Sequence, residues 1–370
     1  MSRPKLTEKI ESAWRIMNWE SNVRKVVPYV PGEQPKATNI IKLNTNENPY
    51  PPAPGVTAAM EGYVGRSQEL RLYPSPTVEN LVKDLAEYYQ LPEDRVFVGV
   101  GSDDVLATAF LTFFNSEKPV LFPDITYSFY EVWAQLYNIP YEKKPLDENF
   151  NIVKEDYIGV ENGGIVITNP NAPTGIARSR EWVEDIVRAN PDSVVIVDEA
   201  YVDFGGETCL PLIEKYDNVL VVHTFSKSRS LAGLRVGVGM GSKKLIQYLN
   251  DVKFSINSYT INRPTLEYAS LSLKDEAYFR ECVDKICATR AWTMDELTKI
   301  GFTMTDSKTN FIFAKHASVP AEELFEMLKT KGVYVRYFKA PRINEYLRIT
   351  IGTDEEMQVL VRELSAYLNR

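Results

Sequence analysis

HTFSKSRSLAGLR, residues 223–235, directly follows the apolar run VLVV. Lys227 therefore leaves the end of a predicted buried strand between hydroxyl-bearing residues, and Arg235 follows eight residues later. An amine in this position can bind an aldehyde covalently, while Ser226, Thr224 and Arg235 hold an anion beside it. Because most lysines that follow a strand are simply solvated at the surface, this interpretation needs a second signal.

The second signal is VVIVDEAY at residues 194–201, where a carboxylate and a phenol follow another apolar run. Asp198 would be a costly buried charge without a partner, and a protonated pyridine nitrogen is such a partner. Tyr201 can donate a hydrogen bond to an oxygen on the same ring. Taken alone, Asp198 could equally cap a helix and Tyr201 could pack in the core. Together with Lys227, these residues predict a site for pyridoxal 5′-phosphate (PLP).

Composition disfavours several other classes of protein. The chain has 370 residues, 44% of them hydrophobic, which suits a large core and two domains. A net charge of -8 argues against a nucleic-acid partner, but not against a small anionic substrate. Three cysteines without a C-x-x-C pattern and two histidines indicate no disulfide framework and no metal site. With neither a signal-peptide pattern nor the ~18 apolar residues of a membrane span, we expect a cytoplasmic protein.

The order of apolar runs predicts an α/β fold with two domains. We expect a helix and arm in residues 1–40, a large domain in 41–260, and a smaller α+β domain in 261–370. In the large domain, uniformly apolar strands alternate with helices, which predicts a mostly parallel sheet covered on both faces. Its predicted strands are residues 96–100, 119–122, 164–168, 194–197, 219–222 and 235–238. In the small domain, the predicted strands are residues 311–314, 333–336 and 346–351.

Several polar side chains follow these strands, where ligands of such sheets bind. They are Lys227, Asp198, Tyr127, Asn171, Ser102 and Asp103. Ser102 and Asp103 open a predicted helix whose free N–H groups can hold a phosphate, although an ordinary turn with one of them as N-cap is the alternative. Tyr127 can stack on a cofactor ring or simply pack. We expect all six side chains to converge on one cleft.

Two arginines are candidates for binding a substrate anion. Arg348 lies among apolar neighbours in YLRI, residues 346–349, and Arg336 lies twelve residues earlier beside a neighbouring strand. A buried guanidinium needs an anion, and a substrate carboxylate held by two hydrogen bonds would serve. A structural ion pair is the alternative.

In their order and spacing, these motifs resemble the class I/II PLP-dependent aminotransferases of fold type I from about residue 27 to the C-terminus. The motifs are TFSK (224–227) with Arg235, DEAY (198–201), NPNAPTG (169–175) and LRITIGT (347–353). Within that family the chain most resembles the histidinol-phosphate aminotransferases. The segments that carry this likeness are VPYVPG (27–32), LNTNENPY (43–50), RLYP (71–74), GSDD (101–104) and SKSRSLAGLR (226–235).

The resemblance implies a role for each matched residue. Lys227 would bind the cofactor covalently and carry protons, Asp198 would pair with the pyridine nitrogen, Tyr127 would stack on the ring and Tyr201 would hold the 3′-oxygen. The residues implied to hold the cofactor phosphate are Ser102, Asp103, Thr224, Ser226 and Arg235, with Tyr73 reaching in from the partner subunit of a homodimer. The residues implied to bind substrate are Tyr29, Asn46, Arg336 and Arg348.

One position departs from the family pattern. The family has an asparagine immediately before Pro-Thr-Gly, which donates to the 3′-oxygen, whereas this chain has Ala172 there. Either Asn171 replaces that contact or Tyr201 makes it alone.

The implied reaction is transamination of histidinol phosphate with 2-oxoglutarate, giving imidazole-acetol phosphate and glutamate in histidine biosynthesis. Two other reactions of the same scaffold are alternatives: aromatic amino acid transamination and decarboxylation of an amino acid phosphate. A non-catalytic PLP-binding regulator would normally need an appended DNA-binding module, for which the segment before residue 27 leaves no room. A catalytically dead binding protein is disfavoured because the lysine, the aspartate and both arginines are present.

Overall fold

A computed structural model describes residues 20–37 and 39–369 of the chain. The helix expected near the N-terminus lies outside these ranges. The described part of that segment is a 3-10 turn at Glu20–Asn22 followed by extended chain. This arm is anchored by Tyr29, whose ring stacks on Phe129 with 4.2 Å between ring centroids.

Strands and helices alternate along most of the described chain. In chain order, the strands are β1 (Ile41–Lys42), β2 (Val96–Gly99), β3 (Val120–Pro123), β4 (Tyr141–Lys144), β5 (Gly164–Thr168), β6 (Val195–Asp198), β7 (Val219–Thr224), β8 (Gly237–Gly241), β9 (Phe302–Met304), β10 (Phe311–His316), β11 (Val333–Tyr334), β12 (Arg336–Tyr337) and β13 (Leu347–Thr350). The α-helices are α1 (Pro54–Gly62), α2 (Glu79–Tyr89), α3 (Ser102–Phe113), α4 (Phe129–Tyr137), α5 (Arg180–Ala189), α6 (Lys243–Ile256), α7 (Arg263–Lys274), α8 (Glu276–Lys299), α9 (Ala321–Thr330) and α10 (Asp354–Leu368).

The large domain is built on a seven-stranded sheet in the order β2-β8-β7-β6-β5-β3-β4. All neighbours from β7 to β4 pair in parallel, and β8 is antiparallel to both β7 and β2. Every residue of β2, β3, β5, β6, β7 and β8 is buried, because helices cover both faces of the sheet. The predicted α/β class with a mostly parallel sheet is confirmed.

The small domain contains a four-stranded antiparallel sheet in the order β12-β13-β10-β9. The single strand expected at 333–336 is wrong, because the chain divides there at the buried Val335. The first half, β11, pairs in parallel with β1, and the second half, β12, joins the antiparallel sheet. The domain limits at 40 and 260 stay a prediction. Near the second limit, α7 buries Tyr268, Ala269 and Leu273 in the core of the large domain.

The strand expected at 235–238 begins two residues later, at Gly237. Arg235 has a φ of 58°, in the left-handed region, so the chain turns at the arginine before the strand starts. Gly237 itself lies against the turn before α3: a Cβ built on it would be 2.2 Å from the carbonyl carbon of Gly101. Only glycine lets these two backbones approach so closely.

Helix ends are fixed by side chains that satisfy free backbone N–H groups. Ser179, Ser242 and Asn262 cap α5, α6 and α7, and Thr353 forms a capping box with Glu356 at the start of α10. Among the described residues, none of the helices combines the length and the apolar character needed to cross a membrane.

Candidate active site

The parallel strands bring the predicted site residues to one edge of the sheet. Asp198 is the last residue of β6 and Thr224 the last residue of the adjacent β7, three residues before Lys227. The N-terminus of α3, at Ser102, reaches the same edge because β8 begins at Gly237, packed against Gly101. Residues far apart in sequence therefore meet where ligands of such sheets bind.

A cavity of about 740 Å³ opens at this edge, between the sheet, the arm and the small domain. Seven of the predicted site residues line it: Tyr29, Asn46, Tyr127, Tyr201, Lys227, Arg336 and Arg348. Asp103 adjoins the cavity, because the Tyr127 hydroxyl donates a 2.8 Å hydrogen bond to its carboxylate. Burial raises the pKa of Tyr127 and Asp103 raises it further, so the phenol stays protonated and remains a donor.

Lys227 is held at both its amine and its backbone. Its Nζ atom donates to the carbonyl oxygen of Thr45 at 3.3 Å. The side-chain amide of Asn48 donates to the carbonyl oxygens of Lys227 and Ser228, at 3.0 and 3.1 Å. Burial, reinforced by the charge of Arg348, lowers the pKa of Lys227 to about 8. About a tenth of the amine is therefore neutral and nucleophilic at pH 7, far more than for an ordinary lysine with a pKa of about 10.4.

Asp198 is buried at the bottom of the site. The hydroxyl of Tyr130 donates to one carboxylate oxygen at 2.7 Å, and the backbone N–H of Ala200 donates to the other at 3.2 Å. Burial raises its pKa to about 6, even though these two hydrogen bonds favour the charged form. A buried carboxylate without a salt-bridge partner among the described residues suits a cationic ligand atom.

Five predicted phosphate ligands form a cluster beside these residues: Ser102, Asp103, Thr224, Ser226 and Arg235. Arg235 donates to the Ser226 hydroxyl at 3.3 Å and lies 3.4 Å from the Asp103 carboxylate. Gly101 has a φ of +83°, and a Cβ on it would be 2.5 Å from a guanidinium nitrogen of Arg235. A cation, hydroxyl groups and the start of a helix thus converge here, and the lack of a side chain at Gly101 lets the guanidinium group of Arg235 approach the helix.

Tyr201 and Asn46 are directly linked: the Asn46 amide donates to the Tyr201 hydroxyl at 2.9 Å. Asn46 is fixed in turn by Thr350, which receives a hydrogen bond from its backbone N–H and donates one to its side-chain oxygen. The side-chain amide of Asn171 donates to Ile125 and Thr174 instead, at 2.9 and 3.1 Å. Asn171 does not line the cavity, whereas Ala172 does.

Arg336 and Arg348 face each other as directly paired residues of β12 and β13. Arg348 donates to the carbonyl oxygen of Asn44 at 3.0 Å, but its buried Nε atom has no hydrogen-bond partner among the described residues. Burial lowers the pKa of Arg348. Like charges placed opposite each other destabilise a sheet, so this pair calls for an anion between or beside the two guanidinium groups.

Tyr73 differs from the other predicted site residues because its side chain is exposed at the surface of this chain. It is 77% exposed and stacks on Tyr259, with 4.7 Å between ring centroids. It does not line the cavity of this chain.

Other residues of the site were not predicted. Thr45 and Asn48 hold Lys227, Tyr130 holds Asp198, and Asn44 lines the cavity with a side-chain oxygen that lacks a partner among the described residues. The motif LNTNENPY contained a signal for three of them, because its asparagines are too polar for a segment that leads into a core. Tyr130 gave no signal beyond that of a core aromatic residue.

The family model of class I and II aminotransferases matches residues 38–364. The chain belongs to this family. The histidinol-phosphate aminotransferase of Lactococcus lactis subsp. lactis (strain IL1403) is 51% identical over 96% of this chain and 98% of that protein. The histidinol-phosphate aminotransferase of Clostridium beijerinckii is 49% identical over 95% of this chain and 97% of its own length. The fold is also similar to the crystal structure of the Sinorhizobium meliloti histidinol-phosphate aminotransferase in complex with pyridoxal-5′-phosphate, with a TM-score of 0.80, 23% identity, and coverage of 89% of this chain and 91% of that one.

The residues of this aminotransferase fit PLP, the cofactor of the family. Lys227 has an amine of lowered pKa that would bind the aldehyde, and Asp198 has a buried carboxyl group that would face the pyridine nitrogen. The cluster around Arg235 would hold the phosphate, and it forms because Gly101 and Gly237 let Arg235 and the start of α3 approach closely. Among the described residues there is no group of three or more metal-ligating side chains.

Proposed function

We propose that the enzyme transfers the amino group of histidinol phosphate to 2-oxoglutarate, forming imidazole-acetol phosphate and glutamate, a step of histidine biosynthesis. The observation that carries this proposal is the pair Arg336 and Arg348, in register with each other and lining one cavity with Tyr29. Two guanidinium groups suit a substrate that carries a phosphate and a second substrate that carries two carboxylates. The curated relatives that are about half identical over nearly their whole length bear the name of this activity.

Bound PLP supplies an electron sink that stabilises negative charge at the substrate's α-carbon. Lys227 acts as the general base: its Nζ atom would take the proton from that carbon and deliver it to C4′ of the cofactor, and the second half of the reaction would run this transfer in reverse. Asp198 holds a proton on the pyridine nitrogen, and Tyr130 holds Asp198 in place. Tyr127 and the arm around Tyr29 cover the cavity and keep bulk water from the reacting atoms.

Steady-state rates with three amino donors test the substrate assignment. Histidinol phosphate, phenylalanine and tyrosine are each offered with 2-oxoglutarate, and glutamate is measured. We expect kcat/KM for histidinol phosphate to exceed that for the aromatic amino acids by at least about a hundredfold. The aromatic amino acids carry no phosphate, so the guanidinium group that binds the phosphate would be left without its anion, which costs several kcal/mol. A preference for free phenylalanine would replace the proposal with aromatic transamination. Release of CO₂ from an amino acid phosphate would replace it with decarboxylation.

The variant Arg336→Gln, measured in the same assay, should affect the KM for histidinol phosphate and the KM for phenylalanine differently. The variant should raise KM for histidinol phosphate by about tenfold to a hundredfold and change KM for free phenylalanine little. Arg362→Gln is the matched control, because the exposed Arg362 side chain, on α10, pairs with its neighbour Glu363 alone among the described residues. An equal effect of Arg336→Gln on both donors would remove Arg336 from phosphate recognition.

We further propose that the enzyme is a cytoplasmic homodimer in which the partner subunit's Tyr73 completes each site. Support comes from the exposed apolar side chains close in sequence to Tyr73 and to its stacking partner Tyr259, since a monomer rarely leaves large apolar surfaces uncovered. Its members are Val64, Leu70, Leu72, Tyr73, Ile256 and Tyr259.

Mixed dimers test the shared site. Subunits carrying Lys227→Ala and subunits carrying Tyr73→Ala should each be nearly inactive alone. After mixing, unfolding and refolding, about a quarter of the wild-type activity should return, since half the dimers are mixed and each has one intact site. No recovery, with dimers still present by light scattering, would place Tyr73 outside the partner's site.

A further inference from the structure

His223 lies behind the active site, at the end of β7, and forms hydrogen bonds at both ring nitrogens. Its Nε2 atom lies 2.8 Å from a carboxylate oxygen of Glu199, and its Nδ1 atom lies 3.0 Å from the hydroxyl oxygen of Tyr89. The imidazole is buried. Neither His223 nor Glu199 lines the cavity that holds Lys227.

Glu199 is buried, and both oxygens of its carboxylate take part in hydrogen bonds. Besides His223, the hydroxyl of Thr208 donates to it at 2.7 Å and the backbone N–H of Cys209 donates to the other oxygen at 2.5 Å. Donors on both oxygens stabilise the ionised form of a carboxylate. Burial opposes a charge on His223, but the Glu199 carboxylate outweighs burial, and the pKa of His223 is raised above its ordinary value.

This ion pair is adjacent in sequence to two residues of the active site. Glu199 follows Asp198 directly, and its charge is one of the influences that raise the pKa of Asp198. His223 directly precedes Thr224, which belongs to the phosphate cluster. A negative charge beside Asp198 favours protonation of that carboxylate, which would end its ion pair with a pyridine nitrogen.

We propose that His223 is a positioning residue that neutralises Glu199 and thereby keeps Asp198 ionised beneath the cofactor. The His223–Glu199 pair also ties the end of β6 to the end of β7, and so fixes Asp198 relative to Thr224 and Lys227. Removing either partner alone leaves a buried charge uncompensated, whereas removing both leaves none.

No other charged group described near His223 compensates the negative charge of Glu199 in its place. A cavity of about 460 Å³ beside the pair is lined by Asp203, Arg229, Glu276 and Arg280, together with Tyr88 and Tyr89. Both arginines are directed to one acid there: Arg229 lies 3.8 Å and Arg280 2.7 Å from the carboxylate of Glu276, while Asp203 accepts a hydrogen bond from the Ser228 hydroxyl. Among the described residues, His223 is therefore the cation within hydrogen-bond reach of Glu199.

Nuclear magnetic resonance of the cofactor-free dimer measures the charge on His223 directly. The chain has two histidines, so ¹³C labelling of imidazole gives two resonances, which the variant His316→Gln assigns. We expect the His223 resonance to stay in its protonated position at a pH where an ordinary histidine, with a pKa of about 6.5, is mostly neutral. Titration at or below that value would overturn the proposal.

Variants of the pair test its effect on the cofactor, which rests on the PLP chemistry of the family but not on the identity of the amino donor. His223→Gln keeps a donor near Glu199 but removes the positive charge, and Glu199→Gln removes the negative charge. In each PLP-loaded variant, the visible absorbance of the cofactor is titrated against pH, without substrate. Removing a cation raises the pKa of nearby groups and removing an anion lowers it, so the profile should move by about one pH unit to higher pH in His223→Gln and to lower pH in Glu199→Gln.

The double variant His223→Gln with Glu199→Gln should return the profile close to that of the wild type. Shifts of both single variants in the same direction, or no shift in either, would contradict the proposal. A double variant whose pH profile lies farther from that of the wild type than the profile of either single variant would also contradict it, because a purely structural role predicts cumulative damage. If a single variant does not fold, the double variant and the imidazole titration still decide.

Discussion

At the scale of single residues, the chemistry starts from an amine that is already held in place. Lys227 donates to Thr45 and is kept partly neutral by burial and by Arg348. The aldehyde of a cofactor therefore meets a nucleophile whose position does not depend on that cofactor.

The rate at which PLP becomes attached to Lys227 should fall as the pH is lowered. The folded-state pKa of about 8 is depressed, so the neutral fraction of the amine falls about tenfold for each pH unit below 8. Attachment should be fast above pH 8 and should slow progressively below it. Borohydride reduction at timed intervals, followed by mass spectrometry of the peptide containing residue 227, measures this rate. A rate independent of pH would show that the amine titrates elsewhere, and Lys227→Arg should give no attachment.

Arg348→Lys should raise KM for both substrates by about tenfold to a hundredfold, with a smaller effect on kcat. A lysine keeps the charge but loses the planar pair of donors, and it leaves Asn44 without its partner. Steady-state kinetics with each substrate varied in turn make the measurement. If only one of the two KM values changes, Arg348 binds the anionic group of that substrate alone.

At the scale of secondary structure elements, glycines decide whether the phosphate cluster can form. Gly237 begins β8 against the backbone of Gly101 and Ser102, which opens α3. Gly237→Ala should weaken PLP binding about tenfold to a hundredfold, because a methyl group there pushes α3 away from Arg235. Gly233→Ala is the control, since nothing lies within 4 Å of a Cβ on Gly233. Fluorescence titration with PLP compares the two variants, and equal affinities would contradict the prediction.

The elements that sequence predicts well are those buried on both faces. Strands such as β5 and β7 are continuous apolar runs, so their pattern needs no knowledge of neighbours. The edge strand β4, Tyr141–Lys144, was missed because its side chains are exposed and polar. The strand expected at 333–336 was wrong because its two halves join different sheets, which no local pattern records.

The same limit applies to the site. Of the six side chains expected to converge on one cleft, Lys227 and Tyr127 line the cavity and Asp103 adjoins it, because parallel strands end at one edge, whereas Asn171 does not line it. Asn48 and Tyr130 escaped prediction because their contacts join residues 179 and 68 positions apart. Which of two neighbouring side chains, Asn171 or Ala172, faces the cavity depends on a turn whose orientation the sequence does not state.

At the scale of the whole molecule, the two domains are joined beside the active site by Arg342. Its guanidinium lies 3.2 Å from the Asp124 carboxylate and donates to the carbonyl oxygens of Leu146 and Asp147 at 2.8 and 2.6 Å. Asp124 and Leu146 belong to the large domain, whereas Arg342 precedes β13, which carries Arg348. Together with other contacts between the domains, this one helps to fix the distance between Lys227 and the two arginines that we propose bind substrate.

Arg342→Gln should lower kcat/KM about tenfold while leaving PLP affinity nearly unchanged, because a few partly exposed hydrogen bonds across the domains are lost. Small-angle X-ray scattering should show a slightly larger radius of gyration in the substrate-free enzyme. Arg362→Gln serves again as the surface control. A fall in PLP affinity of similar size would mean that Arg342 stabilises the large domain rather than the relation between domains.

The opposed guanidinium groups of Arg336 and Arg348 also have a practical consequence for handling the enzyme. Small dianions relieve their mutual repulsion, so the choice of buffer becomes part of the experiment. PLP-loaded protein should melt at a higher temperature in phosphate than in chloride of equal ionic strength. Phosphate-buffered assays would then understate substrate affinity through competition, and zwitterionic buffers are the appropriate medium for storage and kinetics alike.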